Sequence, residues 1–199
     1  MIRAAMLGLI VAAPAYAAGP TDPDWPCIQR LQPHLSMAQV WGGPVPDAAA
    51  VALAKTPEIQ REAEVIAVRR TPLAEAEARI GTFAESNEAE GLVALFVASF
   101  DHINTMRDRV LAGITRYAHK QAALEGRIEE IRHEFRALQE AEEKDFDRMD
   151  ALEQELDWST RIFQDRQQSL IYVCETPVIL EQRAFAIGRA VESHLPPAQ

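Results

Sequence analysis

The sequence contains few of the elements from which catalytic and ligand-binding loops are built. Only nine glycines occur in 199 residues, and they are scattered, so no phosphate-binding loop has the glycines it needs. Neither Gly-x-Ser-x-Gly, nor His-Glu-x-x-His, nor the Asp and Asn spacing of a calcium loop is present. These absences argue against an enzyme, and we expect no cofactor.

Basic residues are also scarce. The chain has 20 Lys and Arg against 30 Asp and Glu, which gives a formal net charge of −10. Binding to phosphate backbones or to anionic lipid headgroups depends on clustered Lys and Arg side chains. We therefore expect neither nucleic acid nor an acidic membrane surface as a partner.

Two further absences point to the fold class. Runs of Val and Ile with period-two alternation do not occur, which argues against strands, and proline is absent from Asn87 to Cys174. Over that stretch apolar residues recur at steps of three and four, the pattern of long helices. The predicted fold is all-α: a base of short helices, a long antiparallel coiled-coil hairpin as a stalk, and a C-terminal covering helix.

The core positions predicted for the stalk follow a single register. In the first arm they are Leu92, Phe96, Ser99, Ile103, Met106, Val110, Ile114, Tyr117, Gln121, Leu124, Ile128, Ile131, Phe135 and Leu138. In the second arm they are Met149, Leu152, Leu156, Ser159, Phe163, Arg166, Leu170 and Val173. An average spacing of 3.5 residues keeps one narrow seam facing a partner helix, as coiled-coil packing requires.

The turn of the hairpin is predicted near residues 142–145. Continuing the register would place Glu142 and Asp145 in the seam, where buried carboxylates would be costly. With the turn there, Gln121 meets Arg166 as the one polar layer. Because this turn contains neither Gly nor Pro, one continuous helix paired with a second chain stays open as the alternative.

The N-terminus has the features of a secretory signal peptide over residues 1–17. Arg3 precedes an apolar run, and Ala15-Tyr16-Ala17 supplies a small-x-small cleavage pattern. About ten apolar residues are too few to span a bilayer, and we expect no transmembrane segment after cleavage. The predicted location is the bacterial periplasm, or the medium if the protein is secreted.

Both cysteines, Cys27 and Cys174, remain in the mature chain. An even cysteine number in an oxidising compartment indicates a disulfide bond, so we predict that they pair. No Cys-x-x-Cys motif is present, which gives no support to a thiol oxidoreductase or a c-type haem protein.

The chain is expected to divide into five segments. They are a signal peptide (1–17), an irregular arm rich in Pro and Trp (18–46), the short helices of the base (47–86), the helical hairpin (87–175), and a C-terminal helix with its tail (176–199). The caps expected to open the helices are Asp47, Thr56-Pro57, Thr71-Pro72, Asn87 and Thr176-Pro177. Within the arm, two short helical pieces are predicted at 27–31 and 36–41.

Two groups of side chains are candidate metal ligands. In one, His133 has Glu129 and Glu130 at helical contact spacing, a set suited to zinc, nickel or copper. In the other, Glu142 and Asp145 belong to an acidic tip whose carboxylates suit hard divalent cations. A solvated, charged helix surface also explains both patterns, and it is the explanation that we favour.

The sequence supports two hypotheses of function. The first is an exported coiled-coil interaction or structural module whose tip, with Glu143, Lys144 and Phe146, contacts another periplasmic or envelope protein or a second copy of the chain. The second is a periplasmic metal-binding or metal-sensing protein that uses the acidic tip or His133.

Overall fold

The computed structural model describes residues 24–197, and within that range it is all-helical, without a strand. The predicted signal peptide lies outside the described residues. A 3₁₀ turn precedes five α-helices, whose bounds are Met37–Gln39 for the turn, Ala48–Leu53 for α1, Pro57–Ala67 for α2, Leu73–Ala84 for α3, Ala89–Glu140 for α4 and Phe146–Glu192 for α5. The all-α class is confirmed, with two helices much longer than the rest.

The first two helices begin at the residues that the sequence analysis predicted from their caps. The Asp47 carboxylate accepts a hydrogen bond from the Ala50 N–H at 2.8 Å and caps α1. Helix α2 has Thr56 at its N-cap and Pro57 at its first position. The Thr56 hydroxyl does not cap α2, because it donates to the Leu53 carbonyl behind it. The fixed φ of proline is therefore the local feature that suits the start of α2.

The next two starts lie later than predicted. Helix α3 begins after Pro72, which takes the N-cap position predicted for Thr71 and makes no side-chain capping bond. Helix α4 begins two residues after Asn87, with Glu88 at its N-cap, and the Asn87 amide donates to the Phe83 carbonyl at the end of α3. Asn87 therefore closes one helix instead of opening the next.

The prediction of two helical pieces in the arm was largely wrong. Residues 27–31 are not helical, and the second piece is only the 3₁₀ turn. Pro33 disfavours helical geometry in the residue before it. In addition, the Trp25 indole N–H donates to the Gln29 carbonyl at 2.6 Å. The arm consequently remains irregular over most of its length.

The predicted break before a separate C-terminal helix is also absent, because α5 continues through Pro177. A proline inside a helix removes one backbone hydrogen bond. Here the Thr176 hydroxyl donates to the Tyr172 carbonyl at 3.3 Å, close to the interrupted bond. Pro177 is buried, and packing on this face of α5 offsets the lost backbone bond.

The main hydrophobic core lies between α1, α2, α3, the first third of α4 and the last third of α5. Every residue of α4 from 91 to 100 is buried, so neighbours cover this part of the helix on all sides. From α5 the core receives Leu180, Ala184, Ile187 and Val191. We call this part of the molecule the base.

The two long helices continue from the base to the loop at residues 141–145, and we call residues 118–170 the distal segment. Only four residues of this segment are buried, namely Ile128, Ile131, Leu152 and Ser159. All four belong to the predicted seam. Every other predicted seam position is buried or half-buried, except Val173, which is exposed.

The arm, residues 24–46, lies against α4 and α5. The predicted disulfide between Cys27 and Cys174 is present, with 5.6 Å between the two Cα atoms. Further along, the Trp41 ring stacks on Phe96 with 4.1 Å between centroids. Gly42 then donates its N–H to the Glu192 carboxylate at 2.6 Å. These contacts attach the arm to the base along most of its length.

Candidate interaction surfaces

Two side chains of α4 donate hydrogen bonds to the backbone of α5. One of them lies in the distal segment and the other directly before it. The Tyr117 hydroxyl donates to the Arg166 carbonyl at 2.7 Å. The Gln121 amide donates to the Phe163 carbonyl at 3.2 Å, while its own oxygen is buried without a partner. The backbone carbonyls of α5 accept from both side chains, and the predicted layer of Gln121 with Arg166 stays a prediction.

Two ion pairs join the helices nearer to the loop. Arg127 contacts Glu155 at 2.8 Å, and Arg148 contacts Glu134 at 2.5 Å. Along the distal segment, the α5 partner moves to lower residue numbers as the α4 residue moves to higher ones. All four side chains are substantially exposed, so these ion pairs add little to the free energy of folding. They show which parts of the two helices lie side by side.

The loop between α4 and α5 contains the residues predicted as an interaction site. Glu143 and Lys144 are exposed, and Phe146, the first residue of α5, has 68% of its surface exposed. The Asp145 carboxylate accepts from the Arg148 N–H at 2.9 Å and caps α5. Asp145 therefore has a structural role at the start of the helix.

The first candidate metal set does not converge. Glu129 is paired with Arg132 at 2.6 Å, and Glu130 is paired with Arg127 at 3.2 Å. His133 is exposed beside them. Within residues 24–197, no cluster of three or more His, Cys, Asp or Glu side chains has the geometry to hold a metal ion.

The second candidate set is also dispersed. Glu142 is exposed, and Asp145 is occupied by its hydrogen bond to the helix backbone. A divalent cation would need several carboxylate or carbonyl oxygens around one point. The positions of Glu142 and Asp145 do not by themselves supply such a cage.

Sequence reasoning missed a buried arginine in the base. Arg107 has only 1% of its side chain exposed, and its guanidinium contacts the Glu181 carboxylate at 2.7 Å. The same guanidinium donates to the Gln32 carbonyl of the arm. One of its nitrogens, Nη1, is buried without a partner. Arg107 thus joins α4, α5 and the arm through one side chain.

Arg107 could have been noticed from its spacing. Val93, Val97, Phe100 and Leu111 form a second apolar stripe beside the seam of α4, and steps of four and three from Phe100 reach Arg107 before Leu111. A charged residue on a stripe that must be buried needs a partner of opposite charge. Its partner Glu181 lies 74 residues away in the chain, and nothing local indicates the pairing.

An open cleft of about 300 Å³ lies between the arm and α5. The arm contributes Gln32, His34, Leu35, Gln39 and Val40, and α5 contributes Glu181, Gln182 and Phe185. Glu181 is held by Arg107, and His34 is the other ionisable side chain of the lining. The cleft is a surface groove between two packed elements.

Two pKa shifts in α4 have burial as their main cause. Burial raises the pKa of the Tyr117 hydroxyl, and the nearby charge of Arg166 opposes this shift. Partial desolvation likewise raises the pKa of the Asp101 carboxyl, although Asp101 as a whole residue is exposed, and the charges of His102 and Lys55 oppose this shift. Shifts caused mainly by desolvation are common in packed cores and do not by themselves indicate catalysis.

No helix in residues 24–197 is both long enough and apolar enough to cross a membrane. Comparison with known proteins adds no assignment, because no family model, curated protein or solved structure matches this chain. Its function has to be inferred from the chemistry of its own residues.

Proposed function

We propose that this chain is an exported, non-enzymatic helical protein that acts as a coiled-coil interaction or structural module. In this proposal α4 and α5 form an antiparallel coiled-coil hairpin, with residues 141–145 as its turn and the distal segment as a stalk. The stalk carries a contact site for another envelope protein at its tip, around Glu143, Lys144 and Phe146.

The observation that carries the proposal is the exposure of Phe146. A phenylalanine with 68% of its surface in water sits between Asp145 and Asp147, at the end of a segment with few buried residues. Apolar side chains next to a charged rim are typical anchors of protein interfaces. A partner that buries Phe146 would gain about 1.5–3 kcal/mol from that ring alone.

The order of contacts between the helices supports the hairpin. Partners of α4 residues 117, 121, 127 and 134 are α5 residues 166, 163, 155 and 148. The burial of Ile128, Ile131 and Leu152 supports a narrow apolar seam between the helices, as a two-stranded coiled coil requires. Five loop residues are enough to connect two antiparallel helices.

The proposed export rests on the signal peptide predicted for residues 1–17 and on the bond between Cys27 and Cys174. Disulfides persist in oxidising compartments and are rare in the cytosol of most organisms. The structure is compatible with this location.

Photocrosslinking in cells tests the contact site directly. A photoreactive amino acid at Lys144 should give a discrete crosslinked product of higher mass, because in this proposal the tip contacts a partner. The same amino acid at Glu77, which is exposed on α3, is the matched control and should give no such product. Equal yields from both positions, or none from Lys144, would sink the tip as the contact site.

A substitution at the tip provides a second readout. Phe146→Ser should abolish the Lys144 crosslink without changing the melting temperature, because an exposed ring contributes little to folding. The control is Val45→Ser, since Val45 is an exposed apolar residue of the arm. A crosslink that survives Phe146→Ser would show that the ring is not the anchor.

Cysteines at positions 135 and 152 test the hairpin itself. If Phe135 and Leu152 face each other in one molecule, the double-cysteine variant should form an intramolecular disulfide at low protein concentration. In a continuous helix the two positions would lie roughly 25 Å apart along the axis, at 1.5 Å per residue. If non-reducing gels show crosslinked dimers and no intramolecular disulfide, the hairpin is contradicted and the chain is an obligate coiled-coil oligomer.

Metal binding stays the untested alternative, and no contact among the described residues favours it. Calorimetric titration with calcium, zinc and nickel decides it. Heat of binding that disappears in His133→Ala would support the site at Glu129 and Glu130. Heat that disappears in Glu142→Gln would support the acidic tip, and the absence of heat with all three metals would remove the alternative.

A further inference from the structure

The part of α5 that belongs to the base has an outer face on the side away from the core, which the arm borders at Gln182 and Phe185. This face contains Ile171, Glu175, Val178, Gln182, Phe185 and Arg189, which follow one another at alternating steps of four and three. On an α-helix such steps align side chains along one side. The buried residues Leu180, Ala184 and Ile187 lie on the opposite side, facing the core.

Several large apolar side chains on or beside the outer face are exposed to water. Ile171 has 63% of its surface in water, and Phe185 also remains exposed. On the flank of the same face, Tyr172 is 75% exposed and Ile179 is partly exposed. Clusters of large apolar side chains in water are a feature of docking surfaces.

The polar residues of the outer face are arranged symmetrically. Glu175, Gln182 and Arg189 are exposed and spaced by seven residues, with acid, amide and base in that order. Within residues 24–197 neither Glu175 nor Arg189 takes part in an ion pair. The Arg189 guanidinium lies over the Phe185 ring at 4.9 Å from its centroid. The face therefore has opposite charges at equal distances from its central glutamine.

We propose that this face binds a second copy of the chain in an antiparallel, two-fold symmetric dimer. A two-fold axis at Gln182 places Glu175 of each copy opposite Arg189 of the other. The same axis places Phe185 of each copy opposite Ile179 of the other, and Val178 opposite Ala186. A self-complementary patch of this kind is what a two-fold interface requires.

The distribution of charge favours this surface over the distal segment for self-association. From residue 140 to 157 the chain has nine acidic side chains and two basic ones, so two copies meeting there would repel each other. From residue 171 to 189 it has two acidic side chains, Glu175 and Glu181, and two basic ones, Arg183 and Arg189. The outer face is thus the electrostatically neutral part of α5.

The cleft between the arm and α5 adjoins the outer face and shares Gln182 and Phe185 with it. A second α5 packed along the face would extend over the opening of this cleft. The dimer would therefore use surface from the arm as well as from the helix. This surface is separate from the tip proposed above, and the two proposals stand or fall independently.

Charge reversal gives the sharpest test. Sedimentation equilibrium from low micromolar to several hundred micromolar protein should show a monomer–dimer equilibrium for the wild type. Glu175→Arg and Arg189→Glu should each weaken dimerisation by about tenfold or more, because each replaces two opposite-charge contacts by two like-charge contacts. The double variant Glu175→Arg/Arg189→Glu should restore the wild-type dissociation constant.

A chain that stays monomeric over the whole concentration range overturns the proposal and leaves the face to a different protein. Dimers that are insensitive to both reversals also overturn it, as does a double variant no tighter than the single ones. Circular-dichroism melts of each variant show whether the base is still folded.

Crosslinking locates the two-fold axis. Gln182→Cys should form an intermolecular disulfide in mild oxidant, because both copies of residue 182 meet at the axis. Gln168→Cys is the matched control, an exposed glutamine on the same helix and 14 residues earlier, and it should stay uncrosslinked. Equal crosslinking of the two variants would contradict the proposed axis.

Discussion

Helices α4 and α5 pass through both the base and the distal segment, and these two regions bury very different shares of their residues. In the base, ten consecutive residues of α4 are buried, whereas in the distal segment only four residues out of two helices are. The base part of α4 contacts α1, α2 and α5, while the buried residues of the distal segment all lie on the narrow seam. The difference shows that the number of neighbours, more than helix propensity, sets how many positions of a helix must be apolar.

Phe96→Ala should have the largest effect on stability. Phe96 is completely buried in the base and stacks on Trp41, so its truncation should cost about 3–5 kcal/mol. Urea denaturation followed by circular dichroism measures this loss. Phe146→Ala is the same substitution at an exposed position and should change stability by less than about 0.5 kcal/mol. Equal losses of stability from the two substitutions would contradict the expected difference between a buried position in the base and an exposed one at the tip.

Cys27→Ser should have the next largest effect, about 2–5 kcal/mol, because the bond to Cys174 closes a loop of 147 residues. We expect the arm to become sensitive to protease while the helical circular-dichroism signal persists. The variant Cys27→Ser/Cys174→Ser should behave like the single one. An arm that stays protected in both variants would mean that Arg107 and Trp41 hold it without the bond.

Leu152→Asp should have a large but local effect. Leu152 is fully buried in the distal segment, and an unpaired charge there costs several kcal/mol. Hydrogen exchange should accelerate in the distal segment and stay unchanged between residues 91 and 110. Ala151→Asp, at an exposed neighbouring position, is the control. Faster exchange throughout the base would show that the two regions unfold as one unit.

Asp101→Asn should have the smallest effect, and it should depend on pH. Burial raises the folded-state pKa of this carboxyl above its ordinary value of 3.8, so the folded protein binds a proton more readily than the unfolded chain. The wild type therefore loses stability as pH rises through that interval. The variant lacks this loss and should be the more stable at neutral pH.

The difference should vanish below pH 3.8, where the carboxyl is protonated in both states. Urea midpoints of both proteins across this pH range measure it. Asp108→Asn, at another exposed position of the same helix, controls for removal of one charge. A difference that persists at the lowest pH would point to a cause other than ionisation.

Much of the helical part was predictable from the sequence because its signals are local. Steps of three and four identify the seam positions, and Ile128, Ile131 and Leu152 are buried as that pattern requires. The acidic run from Gln139 to Asp145 locates the interruption between the long helices, because carboxylates there could not be buried. The all-α class follows from the same regularity.

The features that the sequence did not reveal depend on distant contacts. The sequence at Pro177 predicts a helix start, since the same Thr-Pro pair opens α2. The burial of Pro177 in the base, which the sequence does not show, accounts for the continuation of α5 through it. The course of the arm depends on Arg107, whose partners lie 74 and 75 residues away. The sequence did not reveal the outer face of α5 either, because the exposure of that face depends on which side of the helix packs against the base.

The bond between Cys27 and Cys174 also has a temporal consequence if the chain crosses a membrane from its N-terminus. The first cysteine then reaches the oxidising side long before the second, and for that interval its thiol has no native partner. The base cannot close until the final third of α5 has arrived, since Leu180, Ala184 and Ile187 complete its core. If α4 and α5 form the proposed hairpin, the distal segment needs no residue beyond 170 and can pair first. The order of assembly is therefore expected to run from the loop at residues 141–145 toward both ends of the chain.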